Sequence, residues 1–96
     1  MLTIDNIKRT VAVLALKYDV SKVELFGSYA DGLATENSDA DFLVKFNAET
    51  PSIFKVLGFK AELAEALNHS VDVVTLPLKR ADKLNIDKVV SIYERA

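Results

Sequence analysis

Ninety-six residues, half of them hydrophobic, are enough for one domain with a modest core, spanning residues 1–96, and leave no room for a second. A net charge of −2 gives no basic footprint, which argues against a protein that coats nucleic acid or an anionic membrane, and zero cysteine excludes a disulfide framework and a thiolate metal site. The N-terminal MLTIDNIKRT lacks the pattern of a secretion signal and no stretch approaches the ~20 apolar residues of a membrane span, so the expected location is the cytoplasm.

Thr3 or Asp5 can cap a first helix running to about Tyr18, with Ile4, Ile7, Val11, Leu14 and Tyr18 at helical spacing. Val13 and Leu16 widen its apolar face, which suits a core helix and is also broad enough to meet a partner chain. Asp19 to Ser21 then turns into a strand carrying Val23, Leu25 and Phe26, which stops at Gly27-Ser28. Glycine and serine let the backbone turn sharply into a helix start, where free N–H groups gather and attract phosphate. Tyr29 to Ser38 reads as a short helix or turn followed by a polar loop. A second strand opens with Asp39 and Asp41 on one face, while Ala40, Phe42, Val44 and Phe46 point to the other.

Thr50-Pro51 opens the next helix, expected to reach Asn68 with Ile53, Val56, Leu57, Leu63, Ala64 and Leu67 as its packing stripe. Gly58 inside it costs about 1 kcal/mol relative to alanine, a sign of close packing at that point. Val71 to Thr75 is short and apolar except for Asp72, the pattern of a central strand with one functional position, and Pro77 ends it. A final helix is expected over roughly Lys83 to Arg95, with Ile86, Val89, Val90 and Tyr93 on one side.

The chemistry concentrates in the carboxylates. Aspartate is disfavoured in an apolar strand, and two carboxylates side by side repel, so the Asp39–Asp41 pair calls for a cation or shared protons. Magnesium is the natural cation: it is held by one or two carboxylates and completes its shell with water and phosphate oxygens, which a nucleoside triphosphate supplies. Taken alone, the Asp-X-Asp pair also fits a turn or a helix cap, Gly27-Ser28 a plain strand-to-helix turn, and Asp72 a solvated strand end. His69 sits in a polar turn and reads as solvated, and Lys79, Arg80 and Lys83 read as a solvated basic loop.

Gly27-Ser28, ten residues, then Asp39-Ala40-Asp41 resembles the signature of the polymerase-beta-type nucleotidyltransferases, and the short chain resembles their minimal branch. The resemblance continues through Phe54 to Leu67, through Val71 to Thr75, and through Ile86 to Arg95. It implies an α/β fold with a small mixed sheet backed by helices. It also implies three metal-binding and catalytic carboxylates, Asp39, Asp41 and Asp72, and a nucleotide-binding turn at Gly27 and Ser28. The implied cofactor is magnesium (Mg2+), two ions, with ATP as substrate. Asp72 would complete the metal site and take a proton from the attacking hydroxyl. The minimal branch includes antitoxins that add AMP to a tyrosine of a HEPN-type toxin, which implies a HEPN-domain partner and no direct nucleic-acid or membrane partner. Two other outcomes are a module that neutralises its partner by contact alone and an enzyme acting on a small hydroxylated molecule. One departure stands out: the resembling family often has arginine where this chain has Asp31.

Overall fold

The computed structural model describes residues 3–27, 39–48, 50–75 and 89–95. Helix α1 (Ile4–Lys17) is followed by strands β1 (Val20–Phe26) and β2 (Ala40–Phe46), helix α2 (Ile53–Leu67), and strands β3 (Val71–Thr75) and β4 (Val89–Glu94). The strands form one sheet in the order β3-β2-β1-β4. Strand β1 pairs antiparallel with both neighbours and β2 pairs parallel with β3, so the sheet is mixed.

Local chemistry sets the helix ends. Thr3 caps α1 by accepting the Asn6 N–H at 3.2 Å, and Ser52, one residue beyond the expected Thr50-Pro51 start, caps α2 by accepting from Phe54. Helix α2 ends at Asn68, whose left-handed φ of 51° is one that asparagine adopts more readily than most residues. Helix α1 packs against β1, β4 and α2, and α2 packs against β3. Between helices and sheet lie Ile7, Val11, Val23, Leu25, Phe42, Val44, Phe59 and Leu63, all without solvent contact, and no polar side chain among the described residues is buried with them.

Three expectations need correction. The final helix does not form over the residues described there: 89–94 is strand β4, and 83–88 lie outside the described residues. Val89, Val90 and Tyr93 fit helical spacing, yet a run of β-branched and aromatic residues also suits a strand, and pairing with β1 satisfies backbone groups that β1 would otherwise leave bare. A bulge opposite Val23 and Glu24 places Ile92 between their partners and buries it. On α2, Ile53 and Leu57 are 62% and 54% exposed, while Phe59, absent from the expected stripe, is fully buried. On α1, Val13 and Leu16 point to solvent and do not widen the core.

Gly58 shows why α2 sits in that register. A Cβ there would lie 3.0 Å from Tyr18 Cε1 and 3.1 Å from its hydroxyl oxygen. The Tyr18 ring is held from two sides, by its O–H donating to Glu62 at 2.6 Å and by an edge contact with Phe59 at 5.9 Å. Because the ring cannot yield, Gly58→Ala is expected to lower stability by about 1 kcal/mol despite alanine's better helix propensity. In a Tyr18→Leu background the same change should become neutral or stabilising, read from urea midpoints; an unconditional gain would show that the ring moves freely.

At the other end of the sheet, Asp19 (φ 57°) accepts from Asn47 Nδ2 at 2.6 Å and pairs with Arg95 at 3.4 Å, joining the start of β1 to the ends of β2 and β4. The Asn47 bond first holds the Asp19 carboxyl below its ordinary value; burial opposes it, and the Arg95 bond and the nearby Lys55 and Arg95 charges add to the lowering. A depressed carboxylate stabilises the fold above its unfolded pKa of about 4 and loses that contribution as pH falls through the lower folded value. Asp19→Asn tolerates the same backbone, so the stability difference from wild type is expected at neutral pH and should vanish in acid. A difference independent of pH would remove the charge from the explanation.

Candidate functional site

The catalytic candidates gather where β1 ends and β2 and β3 begin. Alternation along β2 buries Ala40, Phe42 and Val44 toward the helices and turns Asp41 to the opposite face. The antiparallel register sets Phe26 opposite Asp41, and the parallel register sets Asp41 opposite Asp72. Phe26, Asp41 and Asp72 therefore form one row across three strands. Asp41 is half-buried and Asp39 is exposed immediately before β2, whereas Asp72 is exposed because β3 is an edge strand and not the central one its apolar run suggests.

Gly27 closes the row. Its φ of 77° is left-handed, and a Cβ at this position would stand 2.5 Å from Asp41 Oδ2. A side chain is excluded for two separate reasons: the backbone conformation disfavours it and the Asp41 carboxylate already fills the space.

The electrostatics follow from the crowding. Burial first, then the charges of Asp72 and Asp39, push the Asp41 carboxyl above its ordinary value. Such a site gains from a cation. Among the described residues no group of three or more His, Cys, Asp or Glu is placed to hold a metal ion, so Asp39, Asp41 and Asp72 do not converge as one ready-made cluster. A hard ion held by one or two carboxylates and completed by phosphate oxygens needs no such cluster. The donor set is oxygen only, the chemistry of magnesium and not of zinc.

Lys60, on α2, brings its ammonium to 3.7 Å from Asp72 Oδ1. Nothing in the sequence pointed to it, because a helix residue twelve positions before the aspartate has no spacing rule linking the two. His69 is half-buried at the end of α2, where its backbone N–H donates to the Ala64 carbonyl at 3.1 Å. Ser28, Asp31, Lys79, Arg80 and Lys83 lie outside the described residues.

Comparison with known proteins gives a consistent picture. Residues 5–94 match the family described as nucleotidyltransferase domain. The chain is 35% identical to the protein adenylyltransferase MntA of Thermococcus cleftensis, over 94% of this chain and 91% of that one. It is 40% identical to a Methanocaldococcus jannaschii protein provisionally named a protein adenylyltransferase, over 77% of this chain and 78% of the other. Its fold is similar to that in a crystal structure described as a toxin-antitoxin with AMP-PNP, with a TM-score of 0.73 at 23% identity, covering 92% of this chain and 73% of that one. A similar fold occurs in a structure of tri-AMPylated Shewanella oneidensis HEPN toxin in complex with MNT antitoxin, with a TM-score of 0.68 at 19% identity, covering 97% and 74% of the two chains.

Proposed function

We propose, for a chain that belongs to the nucleotidyltransferase domain family, that it transfers AMP from ATP to a hydroxyl of a partner HEPN-type toxin and so acts as its antitoxin. The observation that carries the reading is the register pairing of Asp41 with Asp72 beside a Gly27 that leaves room only for the Asp41 carboxylate. The family and the named activity of the Thermococcus cleftensis relative support the reaction, and the AMPylated HEPN toxin in a structure of like fold supports the acceptor.

Asp39, Asp41 and Asp72 would hold magnesium, in the two-ion arrangement expected for this chemistry. When bound, magnesium supplies charge neutralisation on the triphosphate and polarisation of its α-phosphorus. Gly27 and Ser28 receive the phosphates, the first by its lack of a side chain and the second through hydroxyl and backbone N–H donors. Asp72, exposed at the sheet edge, takes the proton of the acceptor hydroxyl, which the resemblance to the minimal nucleotidyltransferases implies is a tyrosine. The acceptor oxygen bonds to the α-phosphorus, the bond from that phosphorus to the bridging oxygen breaks, and pyrophosphate leaves.

The test is incubation with ATP, magnesium and the purified candidate partner, followed by intact-protein mass spectrometry. Gain of one or more AMP units on the partner, lost on chelation, is the expected result. Stable binding without a mass gain would instead favour neutralisation by contact, for which exposed Val13, Leu16 and Phe54 offer apolar surface.

A further inference from the structure

The ion pair between Lys60 and Asp72 does not belong to the structural frame of the fold. Lys60 lies on α2 and Asp72 on an edge strand, and both side chains are largely open to solvent, at 45% and 61% exposure. A pair this exposed contributes little to stability. Its position matters more: Asp72 faces Asp41 across β2 and β3, so the Lys60 ammonium lies at the end of a carboxylate row.

We propose that Lys60 is a positioning residue for the transfer reaction, the resident counter-ion of Asp72 that sets how much divalent cation the carboxylate row requires. The inference rests on the assignment of Asp41 and Asp72 as the cation-holding pair. Two effects act in the same direction. The ammonium offsets part of the repulsion that a divalent ion would otherwise relieve, and it repels the incoming ion directly from a few ångströms away. Loading the row then requires the ammonium to move off the Asp72 oxygen. A long, flexible lysine side chain can do so without disturbing α2.

Lys60→Gln removes the charge, Lys60→Arg keeps it, and Lys60→Glu reverses it. Manganese titrations without nucleotide, followed by calorimetry and by the rise in melting temperature, read cation affinity apart from catalysis. Glutamine should tighten manganese binding roughly three- to tenfold after solvent screening, glutamate more, and arginine should leave it within about twofold. In the transfer assay, glutamine should lower the magnesium concentration for half-maximal rate while changing the rate at saturating magnesium less.

A purely structural Lys60 predicts shifted melting temperatures with one common cation affinity across the series, which would overturn the proposal. Loss of affinity in the glutamine variant would overturn it too. If the wild type binds no manganese at all, the assignment of the carboxylate pair falls and this inference falls with it. Manganese binding abolished by Asp41→Asn but unchanged across the lysine series would remove Lys60 alone.

Discussion

Replacing Asp39 and Asp41 together by asparagine is expected to abolish AMP transfer while leaving the protein folded, with a melting temperature equal to or above that of the wild type. The dissociation of activity from stability follows from the electrostatics. Asp41 carries its charge against partial burial and against Asp72 and Asp39, so its carboxyl is pushed upward. A carboxyl with a raised folded pKa costs stability as pH rises past its unfolded pKa, and the cost is complete above the folded one, because the unfolded chain ionises more easily than the native one. At neutral pH in the absence of metal, asparagine keeps the shape and removes the repulsion. Transfer, in contrast, loses both the cation and the stabilisation of charge that develops on the phosphates, and should fall by more than about 10³-fold. Circular dichroism melts without metal and single-turnover mass analysis of the partner read the two sides. An unfolded double mutant would give the pair a structural role, and a transferring one would remove both residues from the mechanism.

Why these carboxylates could be read from sequence at all is a matter of strand chemistry. In a period-2 pattern whose alternate positions are Ala40, Phe42, Val44 and Phe46, Asp41 has to face away from the core, and the structure places it there. Asp72 interrupts an apolar run in the same way, so its face was legible, but its partner was not. Only the parallel register of β2 and β3 sets it against Asp41. The final strand failed for the opposite reason. Val89, Val90 and Tyr93 satisfy helical and extended spacing alike, and the choice is made by the free edge of β1, which lies more than sixty residues earlier in the chain. Helix α2 carries apolar residues on two overlapping stripes. Phe59 packs inward against Tyr18 and Phe46, with Gly58 close to the same Tyr18 ring, while Ile53 and Leu57 stay outside, an arrangement of tertiary contacts that no helical wheel contains. The close approach of Gly27 to Asp41 is of the same kind.

Gly27→Ala should cost more stability than the aspartate replacements at the site, and its damage should separate into two parts. The first is conformational: a left-handed φ of 77° costs an L-residue about 1–2 kcal/mol. The second is steric, since the new Cβ would meet Asp41 Oδ2 at 2.5 Å and either the turn or the carboxylate would have to shift. Displacing that oxygen by even an ångström moves the proposed cation ligand, so transfer should fall about 10²-fold or more while the sheet stays intact. A double-mutant cycle isolates the steric part. In an Asp41→Ala background the carboxylate is gone, and Gly27→Ala should then cost only its backbone share, leaving a coupling of roughly 1 kcal/mol or more between the two positions in urea unfolding. Additive effects would mean that the carboxylate moves aside without cost, and Gly27 would then be required for the turn alone. With coupling present, ATP binding in the Gly27→Ala single variant should be weakened as well, because the alanine crowds the Asp41 carboxylate at the position proposed to receive phosphate.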